Sequence, residues 1–195
     1  MRVKNIGRRK FLMVVVILFM IIMLYTMNYI ATYNTYHFSG KLIVAISNGD
    51  VKKVEKILNN YPNGDVNTRE YRTDLIPLMG ESTNEYPVQV ACRGGNIDIV
   101  KMLVDRGAML DVVAGHDSSE MPLVFYSAGI GYGSSYSIDK NHLKITEYLI
   151  GQGMDPQAMT KQGDSVYKEL SEFRDWDGLT EEKIDTIDKM MVLCQ

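Results

Sequence analysis

Residues 86–111 carry the pattern of two short helices joined by a tight turn. Pro87 suits a first helical position, where its missing amide hydrogen is not needed, and a short apolar run follows it. Gly94 and Gly95 interrupt that run, and Gly107 stands where a left-handed helix end is expected after a second run. Two short helices bury too little apolar surface to be stable alone, so this stretch predicts neighbouring units that pack against it.

Weaker copies of the pattern lie on both sides of this stretch. Residues 41–67 repeat its order of apolar and glycine positions, so that Gly49 falls on Gly95. Residues 142–153 repeat the second helix, and a degenerate fourth copy begins at Gly163. Agreement at several independent positions is typical of an internal repeat, and it predicts an all-α solenoid of about three to four helix–turn–helix units.

The best copy reads Tyr-Pro-Val-Gln-Val-Ala-Cys, then Gly-Gly-Asn, Ile-Val-x-x-Leu and Gly-Ala-x-x-Asp, and this order resembles the ankyrin repeat. The resemblance is dense there and thinner over the rest of residues 41–170. Tyr86 and Gln89 stand where the family pattern has threonine and histidine, and Met121 begins the altered opening of the third copy. The resemblance implies an ankyrin-repeat fold, and we expect modest stability because hydrogen bonds of that threonine and histidine are lost.

Two segments make the predicted units longer than the regular repeat of about 33 residues. Residues 69–85 are expected to enlarge the turn between the first and second copies; their apolar side chains either cover the first repeat or contact a partner. Residues 128–140 are rich in Gly, Ser and Tyr, which is typical of a flexible loop, and both a functional and a disordered loop fit this composition. The resemblance implies that the two insertions lie at opposite edges of the stack.

Residues 171–195 carry no repeat motif. Thr180 suits a helix N-cap, and Glu181 and Glu182 would complement the first turn of the helix that follows. We expect a capping helix that covers the open end of the solenoid, with Trp176 packed against it.

The N-terminal part of the chain combines a basic tail with an apolar segment. Residues 1–10 contain five basic residues and no acidic one, and residues 11–33 contain no charge. This uncharged length reaches the roughly 20 residues that a transmembrane helix needs, so we expect a signal-anchor helix over residues 11–33 and a linker over 34–40. The basic tail predicts a cytoplasmic N-terminus, which would place the repeats outside the bacterial inner membrane, on the periplasmic side. A cleaved secretory signal and a buried soluble helix are the alternatives.

Charge and motifs exclude several classes of function. The formal net charge of −3 conceals an acidic repeat region, because basic residues cluster in the tail, and this argues against nucleic-acid binding. His116, Asp117 and Ser118 are the residue types of a hydrolase triad, but adjacent positions cannot form its hydrogen-bonded chain. Cys92 and Cys194 lack zinc-ligand spacing, and both free thiols and a disulfide remain open. We therefore expect a protein that is not an enzyme and has no cofactor, metal or small-molecule substrate.

The resemblance implies protein binding through the repeat-joining turns and the exposed face of the inner helices. Carried over to this sequence, it assigns contacts to positions around each repeat opening; the two insertions add further candidates. The candidate residues are Tyr71, Arg72, Ser82, Thr83, Glu85, Arg93, Asp117, Ser118, Glu120, Tyr132, Tyr136, Lys161, Gln162 and Asp164. Each also fits an ordinary solvated position, and their collective acidity favours a partner with a basic patch.

These expectations combine into a membrane-tethered ankyrin-repeat module that binds another protein. A narrower alternative is an immunity-type protein that neutralises a toxin in the periplasm. An alternative of another class is an accessory subunit of a membrane enzyme or transporter.

Overall fold

A computed structural model of the chain describes residues 3–69, 85–114, 120–131 and 135–195. The chain forms two compact units, Met1–His37 and Phe38–Gln195. Most of the described residues are helical, as the sequence predicts. The helices are α1 (Val3–Ser47), α2 (Val51–Asn60), α3 (Pro87–Arg93), α4 (Ile97–Asp105), α5 (Leu123–Ser127), α6 (Lys140–Gly151), α7 (Val166–Arg174) and α8 (Glu181–Leu193).

Helix α1 includes the segment 34–40 that the sequence predicts as a linker. The helix continues because Phe38, Leu42 and Ala45 lie on one face at helical spacing, and all three are buried in the second unit. In the first unit, the side chains of residues 11–27 are exposed. None of the helices in the described part of the chain has both the length and the apolar character needed to cross a membrane.

The described residues of the second unit contain four helix pairs. The last part of α1 pairs with α2, followed by α3 with α4, α5 with α6, and α7 with α8. Helices α3 and α4 begin at Pro87 and Ile97, as the sequence predicts. One continuous apolar core runs through all four pairs, from Phe38 to Cys194.

Two short strand pairs add to the predicted all-α architecture. Strand β1 (Val113–Ala114) pairs antiparallel with β2 (Met121–Pro122) in the turn between the second and third helix pairs. Strand β3 (Ile130–Gly131) pairs antiparallel with β4 (Ser135–Tyr136) inside the third pair. The described parts of the predicted insertion 128–140 are therefore a hairpin and the start of α6, and its tip lies outside the described residues. Of the other insertion, 69–85, only Arg69 and Glu85 are described.

The predicted boundary between repeats and cap, at residues 170 and 171, falls inside helix α7. Val166, Leu170 and Phe173 form one buried stripe along this helix, so its last turn cannot be separated from the repeat. Helices α7 and α8 therefore form a fourth helix pair. Thr180 is the N-cap of α8, where its hydroxyl accepts a hydrogen bond from the amide of Lys183.

Amide side chains join successive repeat-joining turns. The side chain of Asn67 donates to the carbonyl of Gly107 at 3.0 Å and accepts from the amide of Met109 at 2.8 Å. Gln157 makes the equivalent contact further along and donates to the carbonyl of Gln195 at 2.6 Å. These bonds hold the turns side by side along one edge of the described stack.

Gln89 replaces part of the hydrogen bonding that the altered opening motif was expected to lose. Its side-chain oxygen accepts a hydrogen bond from the amide of Tyr86 at 2.9 Å. A backbone donor at the start of α3 that has no partner within the helix is thereby satisfied.

Candidate functional site

The first two described candidates, Glu85 and Arg93, form an ion pair at the ends of α3. Arg93 Nη1 lies 2.8 Å from Glu85 Oε1. The Glu85 side chain is fully buried, whereas that of Arg93 is 44% exposed. Glu85 is therefore a structural residue that anchors Arg93, and only the arginine reaches the surface.

The inner helices α3 and α5 offer almost no free surface, contrary to what the resemblance implies. All residues of α5 are buried, and in α3 only Arg93 is exposed. Helix α5 packs against α3, α6 and the strands β2 and β3. The sequence contains the signal for this burial, because the run from Leu123 to Tyr126 is apolar on every side and such a helix is buried.

Two candidates join neighbouring repeat-joining turns. Lys161 Nζ lies 2.5 Å from Glu120 Oε2, which links the turn before α5 to the turn before α7. Within the second turn, Asp164 accepts a hydrogen bond from Lys168 at 2.5 Å, and Gln162 is exposed. The described turn candidates thus form a paired polar surface along one edge of the stack.

Three exposed apolar side chains project from the same two turns, and sequence reasoning did not select them. Met109 is 43% exposed, Val113 is 40% exposed and Met159 is 60% exposed. We call these three residues the apolar tips. The sequence pattern that could have identified them is a large apolar side chain between turn-forming residues, such as Met109 between Gly107 and Asp111. Neither helix packing nor strand pairing requires an apolar side chain at that position.

Tyr136, a candidate from the second insertion, is partly buried against helix α7. Its ring stacks on Phe173 with centroids 4.2 Å apart and an interplanar angle of 15°. Its hydroxyl donates a hydrogen bond to Glu169 at 2.9 Å. Trp176 contacts both rings edge-on, with centroid distances of 5.5 and 5.1 Å. The tyrosine therefore attaches the hairpin β3–β4 to helix α7.

The remaining candidates lie outside the described residues. They are Tyr71, Arg72, Ser82, Thr83, Asp117, Ser118 and Tyr132.

The two cysteine thiols of the second unit have low reactivity. Cys92 and Cys194 are both free and buried. Burial raises the pKa of Cys92 far above its ordinary value and that of Cys194 to about 11, so both are protonated at neutral pH and are poor nucleophiles. Among the described residues, no group of His, Cys, Asp and Glu is arranged to hold a metal ion.

His142 packs and hydrogen-bonds within the fold, which is a structural role. Its Nδ1 lies 2.8 Å from Oδ1 of Asp139, the N-cap of α6. Burial raises the pKa of Asp139, but hydrogen bonds from His142 and the amide of Asn141, with the charge attraction of His142, lower it more, so the net pKa lies below the ordinary value. The imidazole packs against Gly95 and Gly129, two positive-φ glycines in neighbouring inter-helix turns.

Comparison with known proteins agrees with this architecture. The ankyrin-repeat family model matches residues 83–114, which include α3, α4 and β1. A search of curated proteins finds no match to the chain. Residues 83–114 therefore match the ankyrin repeat.

Proposed function

We propose that this chain is a non-catalytic protein-binding module, that its repeat-joining turns contact the partner, and that its N-terminal segment tethers it to a membrane. The observation that carries the proposal is the exposure of the apolar tips Met109, Val113 and Met159 on neighbouring turns. Ankyrin repeats are protein-interaction modules, so a binding role agrees with the family match.

The chemistry of the apolar tips suits a protein partner. Methionine is unbranched and polarisable, so it adapts to irregular apolar surfaces at little strain. Met109 and Met159 lie on turns that the Glu120–Lys161 ion pair connects. A partner that covers both turns would bury apolar area at the centre and leave charged groups at the rim, as in protein–protein interfaces generally.

The burial of the two inner helices α3 and α5 supports the turns beside them as the contact surface. Helices α3 and α5 leave only Arg93 accessible on that face. The repeat-joining turns retain both apolar and charged exposed groups. The acidity of the chain after residue 10 favours a partner with a basic patch.

The tether rests on the sequence of the first unit. Residues 11–33 are uncharged and residues 1–10 are basic, a combination typical of an anchor with its N-terminus in the cytoplasm. The exposed apolar side chains of residues 11–27 agree with a lipid environment. In spheroplasts, added protease should degrade the repeat unit of the full chain; protection of that unit would contradict periplasmic exposure.

Site-specific photocrosslinking tests the binding surface. A photoreactive residue is placed at Met109 or Met159 of the full chain in the native cell, with Lys144 as the control. Lys144 is exposed in the second turn of α6, in the half of the helix away from the repeat-joining turns. We expect one protein to crosslink at both methionine positions and not at Lys144. Absence of a crosslink, or the same pattern at all three positions, would contradict the proposal.

The captured protein also distinguishes the narrower alternatives. Toxicity of that protein when it is expressed alone in the periplasm would identify the chain as an immunity-type protein. A membrane enzyme or transporter as the captured protein would identify an accessory subunit.

A further inference from the structure

We propose that a second surface, formed by Trp176 on the ring cluster of Tyr136 and Phe173, binds a segment of the partner protein that is rich in lysine or arginine. This inference rests on the protein-binding function proposed above. The surface is distinct from the apolar tips, because Trp176 follows the C-terminal end of α7 whereas the repeat-joining turn precedes its N-terminal end. Helix α7 separates the two by about 13 Å.

The ring cluster holds Trp176 in a fixed position. Tyr136 stacks on Phe173 at 4.2 Å, and the tyrosine hydroxyl is itself held by Glu169. Trp176 packs edge-on against both rings. A side chain positioned in this way loses little conformational entropy when a partner binds.

Trp176 nevertheless remains 53% exposed. A half-exposed tryptophan supported by other rings offers a large apolar surface, and tryptophan is among the residues that contribute most to binding energy at interfaces. The contacts with Tyr136 and Phe173 explain why the side chain is ordered, but they leave half of it in water. A ligand on this exposed half would bury that surface.

The charges around Trp176 select a cation. Asp175 and Asp177 flank it and are exposed, and within the described structure neither is held in an ion pair. The neighbouring Arg174 is already paired with Asp188. Two exposed carboxylates beside an aromatic surface attract a cationic group from outside and repel an anionic one.

The cluster already accepts a cation from its own chain. Lys183 Nζ lies 5.4 Å from the ring centroid of Phe173, within the range of a cation–π interaction. Arginine from a partner would suit the exposed side of Trp176 better than lysine, because a guanidinium both stacks on an indole and forms two parallel hydrogen bonds to a carboxylate.

The chain offers a direct probe of this surface, because Trp176 is its one tryptophan. The full chain in an uncharged detergent is titrated with a tetra-arginine peptide, and the tryptophan emission is followed at an excitation wavelength that tyrosine does not absorb. A tetra-glutamate peptide of the same length serves as the comparison. We expect a saturable emission change with tetra-arginine and none with tetra-glutamate.

Two double variants assign the binding to this surface. Asp175→Asn with Asp177→Asn should weaken tetra-arginine binding by about tenfold, since both flanking charges are lost. Glu55→Gln with Glu147→Gln removes the same charge from exposed positions on α2 and α6 and should leave the affinity unchanged. In Trp176→Leu, binding of a dye-labelled tetra-arginine peptide, followed by its anisotropy, should also weaken, and the thermal unfolding of every variant is recorded to check folding.

Absence of saturable tetra-arginine binding by the unaltered chain would overturn the inference. An equal loss of affinity in both double variants would also overturn it, since the peptide would then respond only to net charge. The crosslinking at Met109 and Met159 requires no peptide, so its result stands or fails separately. A positive crosslink with a negative titration would reject this second surface and retain the proposed function.

Discussion

At the scale of single residues, the ion pair of Arg93 with Glu85 is a contact that the sequence alone does not predict. The resemblance assigns Glu85 to the repeat opening and Arg93 to the exposed face of the inner helix, yet Glu85 is fully buried. Its burial depends on tertiary packing around α3, which no local pattern encodes. A buried carboxylate needs its partner groups, so the arginine stabilises the fold even though it is half exposed.

Arg93→Ala should therefore lower the free energy of unfolding by about 1–2 kcal/mol, less than for a fully buried pair because solvent screens the arginine. Arg106→Ala is the matched control, since its guanidinium donates to Asn59 at the surface at 3.3 Å. Denaturant titration of both variants measures the difference. Equal losses in the two would contradict the structural role assigned to Glu85.

Alanine substitutions at two equivalent turn glycines distinguish the cost of backbone strain from the cost of close packing. Gly49 and Gly95 have φ values of 63° and 64°, and a Cβ at Gly49 would meet nothing within 4 Å. A Cβ at Gly95 would lie 3.2 Å from Cε1 of His142. Gly49→Ala should cost about 1 kcal/mol for the positive φ alone, and Gly95→Ala about 1 kcal/mol more. Equal shifts of the denaturation midpoint would show that His142 moves away freely.

At the scale of elements, local sequence signals predicted the helices well and the insertions poorly. Proline, asparagine and glycine mark the ends of α3 and α4 within a few residues, so their limits could be predicted. Residues 128–140 have the composition of a flexible loop, but Tyr136 attaches their described part to α7. That contact joins distant parts of the chain, and therefore composition alone did not reveal it.

Replacement of Tyr136 tests this attachment. Tyr136→Ala removes the stack on Phe173 and the hydrogen bond to Glu169, and should lower the free energy of unfolding by about 2–3 kcal/mol. Amide hydrogen exchange should accelerate in β3 and β4. Tyr167→Ala changes a more exposed tyrosine, 37% exposed on α7, and should have a small effect. Unchanged exchange in Tyr136→Ala would contradict the packing role.

At the scale of the whole molecule, the repeat pattern predicted about three to four helix–turn–helix units, and the described part of the second unit contains four helix pairs. The repeats were predicted to end at residue 170 because Ser171–Gln195 lacks the family motif, and this boundary falls inside α7. The apolar stripe of α7 and the contact of Gln157 with Gln195 instead continue the architecture through α8. Apolar periodicity and stacking contacts thus persist where the motif is lost, which is why the fold extends further than the recognisable sequence.

The proposed contact surface is a property of the whole stack, since the Glu120–Lys161 ion pair joins the turn of Met109 to the turn of Met159. The most direct measurement is the affinity of the crosslinked partner for the full chain and for Met109→Asp with Met159→Asp. We predict a loss of about a hundredfold, or 2.7 kcal/mol, in this variant. Val44→Asp, which alters an equally exposed apolar residue in the last turn of α1, should bind like the unaltered chain. An unchanged affinity in the Met109 and Met159 variant would contradict binding through the repeat-joining turns.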